Sequence, residues 1–563
     1  MAQPSSPTTL APVAAGQLQT DFVSFPNGTG LRVAACLDHG GARLRSLPWV
    51  VLAPKYGETK KNNLQLAYHL VANGLNVLRF DHTNHVGESE GDTTDFTLTG
   101  AGADVTACLD FLAENFDVTQ VVAVANSLSA RCVLRVAAND PRITKLVSIA
   151  GVVNLLGTMQ EIYREDILGL HRAGHRWGVT NFLGLEIDGD AFLEDILRTG
   201  LHALAGTVGD AARLRVPMVY FYPEQDAWVA RTEVEEVIAA CAQGQLVGVP
   251  AAMHEVRENP RAAEDMFKQV VWACQQDVPY PGDAGAGLQL PDKKKLLGQN
   301  RRERERLRRS GVLPESETEF WSGYLKKYSI LEKSTEYRDY LNLLGRLCGP
   351  PPPGALVLDA GCGNGLLGRW LLREVWQHLP STASPPPVYV GLDLTRQGLN
   401  DALAGQLGVL RRAVPDTPGL QYALVDFDLL TEGRARLPFQ SDTFEIICCS
   451  LVLSYLKRPQ ALLDELHRVL RPGGVLVVSS MKPHCDLSVI YRDSIGRHVT
   501  DHEVESGRNL LRAAGKIKLK EEIGHYTFYS PAQLATLVMN ADFKVLKSHL
   551  SLGNQAAVIQ ANK

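Results

Sequence analysis

Two consecutive α/β domains, each a largely parallel sheet covered by helices, are what this sequence predicts, and three observations carry the prediction. The chain has 563 residues, more than one hydrophobic core organises. Short β-branched runs alternate with longer helical patterns twice, from Pro48 to about Gln276 and again from the run Pro350 to Pro353 to the C-terminus. Between them the composition shifts to Pro279, Pro281, Gly282, Gly285 and Gly287, then to Lys293 to Lys295 and an Arg/Glu-rich run through Arg309. That is the composition of a linker leading into a polar helix.

In the first alternation, Trp49 to Ala53, Leu75 to Phe80, Gln120 to Ala125, Lys145 to Ile149 and Pro217 to Tyr222 read as strands. Asn63 to Asn73 and Ala101 to Asn115 carry helical apolar spacing. In the second, the strands are Leu356 to Asp359, Tyr389 to Asp393, Tyr422 to Asp426, Phe444 to Ser450, Val475 to Ser479, Phe543 to Leu550 and Ala556 to Ala561. The expected boundaries are 1–24 as an irregular N-terminus, 25–276 as the first domain, 277–317 as linker with basic helix, and 318–563 as the second domain.

Apolar residues at 45% and charged ones at 21% fit globular protein, and a net charge of −5 lacks the basic footprint of a nucleic-acid binder. Small-molecule or protein-bound substrates are expected instead. The ten cysteines include no C-x-x-C pair, and Cys448 and Cys449 sit in an apolar run that reads as a buried strand. A reducing, cytoplasmic setting suits them, no apolar run reaches a membrane span, and the first basic residue, Arg32, falls too late for a signal peptide. The cationic run Lys293 to Arg309 is either a docking face for an acidic carrier protein or a solvated helix face.

Ser127 follows the strand Gln120 to Ala125 in Ala125-Asn126-Ser127-Leu128-Ser129 and precedes a helical pattern, the placement of a nucleophile elbow. Ala125 and Ser129 stand where glycines are usual, because a tight turn needs small neighbours. Serine needs a base, and the base needs an acid to fix its tautomer. Asp226, just past the strand Pro217 to Tyr222, and His254, in Ala252-Met253-His254-Glu255, complete the order Ser, Asp, His. The oxyanion donors expected are the N–H groups of Leu128 and of Tyr56, the latter in the loop Pro54-Lys55-Tyr56-Gly57. His82 and His85 either assist catalysis or serve in packing or loop hydrogen bonding.

This half resembles the bacterial luminescence acyltransferases, acyl-carrier-protein thioesterases of the α/β-hydrolase fold. The resemblance spans about residues 25 to 276 and is carried by Phe80-Asp81, His85-Val86-Gly87, Ser127-Leu128-Ser129-Ala130-Arg131, Gly151-Val152-Val153-Asn154-Leu155 and Asp226-Ala227-Trp228-Val229. It implies a triad at Ser127, Asp226 and His254, with the A-x-S-x-S elbow the family's own form. It also implies an acyl thioester substrate, free or on an acyl carrier protein, released to water or another acceptor.

In the second domain, Val357-Leu358-Asp359-Ala360-Gly361-Cys362-Gly363-Asn364-Gly365 puts an acid at a strand end and three glycines in the turn before a helix. Gly363 to Gly368 also fits G-x-G-x-x-G, so a dinucleotide site competes. Asp393 closing Gly391-Leu392-Asp393, Leu437-Pro438-Phe439 before Asp442-Thr443-Phe444-Glu445, and Leu470-Arg471-Pro472-Gly473-Gly474 before a strand decide between them. Together these motifs resemble class I methyltransferases of the ubiquinone-biosynthesis-like small-molecule group, with a Rossmann-like fold, over about residues 318 to 563. The resemblance implies S-adenosylmethionine as cofactor, with Asp359 and glycines Gly361, Gly363 and Gly365 at its methionine end, Asp393 on the ribose hydroxyls, and Asp426, or alternatively Asp428, near the adenine amino group. No metal is expected.

A carboxylate acceptor, ionised near neutrality with a pKa of about 4.3, needs no general base. A phenol or carbon acceptor needs one, and His525, Tyr526, Tyr324 and Tyr328 are the candidates. The leading expectation is cleavage of an acyl thioester followed by methylation of the released acid. The alternatives are methylation of a carrier-bound intermediate before release, and a first domain that only binds the acyl group or its carrier.

Overall fold

The computed structural model describes residues 18–41, 47–309, 316–328, 331, 334–376, 385–413, 419–430, 436–486 and 501–563. The chain folds into two compact units, residues 1–312 with 522–524 and residues 313–521 with 525–563.

The first unit holds a sheet of eight strands: β1 (Gln19–Pro26), β2 (Arg32–His39), β3 (Trp49–Ala53), β4 (Asn76–Phe80), β5 (Val121–Asn126), β6 (Ile143–Ile149), β9 (Met218–Pro223) and β10 (Gly244–Val249). A separate hairpin is formed by β7 (Val179–Phe182) and β8 (Leu185–Asp188). The order in the large sheet is β1-β2-β4-β3-β5-β6-β9-β10. Pairing from β4 to β10 is parallel, and β2 runs antiparallel to both β1 and β4. This is the α/β-hydrolase fold. Because β3 is followed by β4 on one side and β5 on the other, the loops after β3 and β5 meet at a switch point of the sheet, where parallel sheets place ligands.

The predicted parallel strands are present within a few residues, and β1, β2, β7, β8 and β10 went unread. Their reason is physical. The β1 strand is an exposed edge, and the exposed and half-exposed stretch Gln245 to Gly248 of β10 lacks the apolar run that marks a central strand. The irregular N-terminus expected over 1–24 therefore gives way to β1 from Gln19, while residues 1–17 lie outside the described residues.

The stretch expected as linker contains the helix Lys293–Arg309, which packs on the first unit through Gln299, Glu303 and Leu307, spaced four apart on one buried face. Glu303 accepts from both Arg79 terminal nitrogens at 2.7 Å, and Arg79 Nε donates to Asp38 at 2.5 Å, all of them buried. A helix anchored by a carboxylate carries little apolar stripe, so composition reads it as solvated.

The second unit holds β11 (Leu356–Ala360), β12 (Val388–Asp393), β13 (Gly419–Leu424), β14 (Phe444–Cys449), β15 (Leu470–Met481), β16 (Lys544–Ser551) and β17 (Ala556–Asn562), in the order β13-β12-β11-β14-β15-β17-β16. β17 runs antiparallel to both β15 and β16, and the other pairings are parallel. Successive residues of the central strands enter opposite cores: Val357, Ile446, Cys448 and Val477 one, Leu358, Ile447, Cys449 and Val478 the other. A sheet covered on both faces needs such continuous apolar runs. Cys448 and Cys449 are accordingly buried strand residues, and all ten cysteines are buried and unpaired. No described helix is long and apolar enough to cross a membrane.

Candidate active sites

Ser127 links β5 to the helix Leu128–Ala137 with φ 49° and ψ −124°. A non-glycine residue held there stores about 1–3 kcal/mol of strain. The neighbourhood enforces it: Ser127 N–H donates to Ile149 O at 3.0 Å, and its carbonyl accepts from Val152 N at 3.0 Å. A Cβ added to Gly151 would lie 2.9 Å from Ala130 Cβ, so only glycine permits this approach to the elbow. Ala125 is fully buried, and Ser129 donates to the Pro54 carbonyl at 2.5 Å. The serine that replaces glycine in the elbow therefore has a bond to make.

The sequence-predicted residues come together from three loops. Ser127 Oγ lies 2.8 Å from His254 Nε2, and His254 Nδ1 lies 2.8 Å from Asp226 Oδ2. Asp226 is buried, and its other oxygen accepts from the N–H groups of Trp228 and Val229 at 2.8 and 3.2 Å. With the acid held by two backbone donors, Nδ1 carries the proton and Nε2 faces the serine as acceptor. Leu128 opens its helix, where an N–H has no intrahelical acceptor. Ala53 is in register with Ala125, which brings Tyr56 in the following loop beside the elbow. Tyr56 OH donates to Phe182 O at 3.1 Å, and burial holds its phenol far above the usual range. His82 bonds to the helix after the elbow, with Nε2 3.1 Å from Ser129 Oγ, and His85 bonds to the loop after β3, with Nε2 3.1 Å from Gly57 N.

In the second unit the glycine turn after β11 has φ of +85°, +52° and +78° at Gly361, Gly363 and Gly365, values that exclude most side chains. Gly361 and Cys362 donate to Leu392 O, and Gly363 N–H donates to Asp393 Oδ2 at 2.8 Å. The other Asp393 oxygen accepts from the backbone and hydroxyl of Thr395, both at 2.8 Å. Asp393 thereby ties the glycine turn to the turn after β12. Asp359 is buried and accepts from Tyr389 OH at 2.6 Å. Burial, with the Asp393 charge adding to it, pushes the Asp359 carboxyl up to about 7 against the bond from Tyr389.

Asp426 does not close its strand: β13 ends at Leu424, and Asp426 is exposed and caps a short turn, accepting from Asp428 N at 2.9 Å. Asp428 in turn accepts from Lys457 N at 2.8 Å. Of the candidate bases, Tyr526 is buried and donates to Glu317 Oε2 at 2.5 Å, and His525 Nε2 lies 2.9 Å from Glu317 Oε1. Tyr324 stacks on Phe320 and meets Trp321 edge-on, and the side chain of Tyr328 lies outside the described residues. Glu317 also accepts from Lys520 Nζ and Trp321 Nε1, at 2.8 and 3.1 Å. The bonds from His525, Lys520 and Tyr526 hold its carboxyl down at about 2 despite its partial burial. Sequence reasoning missed Glu317, Tyr389 and the bonds that Ser129 makes, because most of their partners lie far away in the chain; it also missed Thr395, which bonds to Asp393 two residues before it.

Residues 46–274 match the acyl transferase family, and residues 332–548 match a methyltransferase domain. The first part is 26% identical to an acyl transferase of Photobacterium phosphoreum over 227 residues, 40% of this chain and 74% of that one. It is likewise 26% identical to an acyl transferase of Aliivibrio fischeri over 255 residues, 45% of this chain and 82% of that one. Among solved structures, the esterase domain of a Rhodothermus marinus protein aligns at 21% identity over 46% of this chain and all of that one, with a TM-score of 0.34. The chain is thus a two-domain enzyme, in which a domain similar to the luminescence acyl transferases precedes a methyltransferase domain.

Proposed function

We propose that the first unit cleaves an acyl thioester through a covalent acyl-serine, and that the second methylates a small molecule, the released acyl carboxylate, from S-adenosylmethionine. The observation that carries the first half is the relay from Ser127 to His254 to Asp226, with 2.8 Å at each link. Ser127 Oγ attacks the thioester carbonyl as its proton passes to His254 Nε2, and Asp226 stabilises the resulting imidazolium. The Leu128 and Tyr56 N–H groups receive the developing oxyanion. Collapse expels the thiolate, which takes the proton from Nε2. Water, or another hydroxyl nucleophile, then bonds through its oxygen to the acyl carbon as its proton passes to His254, and collapse releases the acyl product while Ser127 Oγ leaves and takes that proton back.

For the second half, the residues fit the methyl donor. Asp359 and Asp393 present acceptors on either side of a glycine turn whose φ values exclude most side chains, suited to an ammonium and to ribose hydroxyls. Asp393 accepts from Gly363 and Thr395, and in this reading it takes the ribose hydroxyls as further donors. Asp426, exposed beyond β13, is the acceptor this reading assigns to the adenine amino group. When bound, S-adenosylmethionine supplies an electrophilic methyl group on a sulfonium. The acceptor's nucleophile then needs alignment more than deprotonation, because Tyr526 and His525 are both engaged with Glu317. An ionised carboxylate meets that condition.

The test is incubation of the intact chain with acyl thioesters, free and carried on an acyl carrier protein, and methyl-labelled S-adenosylmethionine, with products identified by mass. A labelled methyl ester of the acyl group is expected. If free acids of every length tested accept no methyl group while a carrier-bound intermediate does, methylation precedes release. If no thioester is cleaved, the first unit is a binding module.

A further inference from the structure

The loop after β3, Pro54 to Gly57, is held along its whole length, and two histidines outside the triad do much of the holding. Before it, the Ala53 carbonyl accepts from Asn126 Nδ2 at 3.4 Å. The Pro54 carbonyl accepts the Ser129 hydroxyl proton at 2.5 Å. That proton being committed, Ser129 Oγ can only accept from His82, whose Nε2 is 3.1 Å away. His82 Nδ1 lies 3.4 Å from the buried carboxylate of Asp104, which accepts from Thr83 and Asn27. At the far end, Gly57 N–H donates to His85 Nε2 at 3.1 Å, so the His85 proton sits on Nδ1. Burial and the neighbouring His82 push the His85 imidazole down to about 3, which keeps that nitrogen an acceptor at neutral pH. The Tyr56 ring packs edge-on to His85, Phe96 and Phe182.

The peptide plane that matters lies between these anchors. Tyr56 N–H shares a planar unit with the Lys55 carbonyl, which accepts from Glu58 N at 3.0 Å. In a trans peptide the N–H points opposite to the carbonyl, so this bond fixes the direction of Tyr56 N–H. Turning that plane over requires compensating rotations in the peptides on either side. One of those is anchored through Pro54 O and the other through Gly57 N.

We infer that His82 and His85 are positioning residues for the oxyanion donor: His82 acts through Ser129 on the Pro54 carbonyl, His85 acts directly on the Gly57 N–H, and together they hold the intervening Tyr56 N–H in one orientation. The inference rests on the proposed acyl-serine at Ser127 with Tyr56 and Leu128 as donors. It also accounts for the serine that stands in place of the usual glycine at position 129, since glycine has no hydroxyl to connect His82 to Pro54. A donor built in this way costs no reorganisation when charge appears, and loss of one such donor lowers turnover by about a hundredfold to a thousandfold in other serine hydrolases. Loosening rather than removing it is expected to cost about thirtyfold to a hundredfold.

The experiment compares His85→Leu, His85→Gln and Ser129→Ala with the wild type on 4-nitrophenyl esters, following the acylation burst, steady-state kcat and KM, and inhibition by an alkyl trifluoromethyl ketone. His85→Leu removes the acceptor, whereas the amide oxygen of His85→Gln reaches the same N–H. The expected result is a fall in kcat of about thirtyfold to a hundredfold in His85→Leu and Ser129→Ala with KM within about twofold. The ketone, whose adduct places an oxyanion in the same position, loses affinity by a similar factor, and His85→Gln recovers most of both. Wild-type kcat in His85→Leu and Ser129→Ala overturns the inference, as does a His85→Gln variant no better than His85→Leu or a loss of kcat with unchanged ketone affinity. Mass spectrometry of the wild-type adduct separates the two readings: absence of acyl label on Ser127 removes the triad assignment and this inference with it. Label present in His85→Leu at the wild-type rate removes this inference alone.

Discussion

Around Ser127 the reacting side chains already touch one another, with 2.8 Å from hydroxyl to imidazole and from imidazole to carboxylate, whereas around Gly361 to Gly365 the carboxylates touch the backbone and a tyrosine. The two sites use the same residue type for different ends. In the proposed chemistry Asp226 orients the base, whereas Asp393 braces a turn and serves the methyl donor. The difference follows from where the chemistry originates. An acyl-serine mechanism draws its nucleophile, base and oxyanion donors from the polypeptide, so the fold must preassemble them and bear the strain of Ser127. In methyl transfer the reactive group arrives with the donor, so the fold supplies a shaped, glycine-lined turn and acceptors at its margins.

The largest expected effect separates the sites outright. Ser127→Ala should reduce acyl-thioester cleavage by at least about a thousandfold and leave donor binding intact. Unchanged turnover in that variant removes the triad. The two units should also be separable in stability. Glu303→Ala leaves Arg79 buried against Asp38 alone, in place of two carboxylate partners, and breaking a buried pair costs about 3–5 kcal/mol. In calorimetry only the transition of the first unit should move, and a shift of both transitions would show the units to be thermodynamically coupled.

Asp393→Ala should weaken S-adenosylmethionine by roughly 1.5–3 kcal/mol, the range for hydrogen bonds to a charged acceptor, with acyl cleavage unchanged. Titration calorimetry measures it, and NADH binding to the wild type in place of S-adenosylmethionine would return the glycine motif to a dinucleotide reading. The smallest effect is a pH dependence. Asp359, pushed up to about 7 by burial, must ionise before it pairs with an ammonium group, so donor affinity should rise about tenfold from pH 6 to pH 8 and be flat in Asp359→Asn. Without donor the sign reverses. A carboxyl whose folded value is raised from 3.8 to about 7 contributes stability below 3.8 that is lost as pH rises through 7. The melting temperature of the second unit should therefore gain on the alkaline side when Asp359 becomes Asn.

Local sequence made the central parallel strands of both sheets legible, because a strand buried on two faces must be apolar at consecutive positions, as Val121 to Ala125 and Ile446 to Cys449 are. Strands with an exposed face, β1 and β10 above all, left no such mark. Ser127, Asp226 and His254 were legible as a set because each follows a recognisable strand or falls in a fixed chain order, and the structure brings the three together. The exposed Asp426 shows the limit of the same method: the strand before it ends at Leu424, two residues earlier than its apolar pattern suggested.

What the sequence determined by itself was therefore local and periodic: two α/β alternations, a small-residue elbow around Ser127, and a glycine turn after Asp359. Each follows from backbone sterics and burial, which act between near neighbours in the chain. What only the tertiary structure decided was which polar atoms meet across long separations. His82 reaches Pro54 through Ser129, Glu303 neutralises Arg79 from 224 residues away, and Glu317 gathers Lys520, His525 and Tyr526. A hydrogen bond is specified by distance and direction in space, and a residue's type announces that it needs a partner without saying which one the fold will bring.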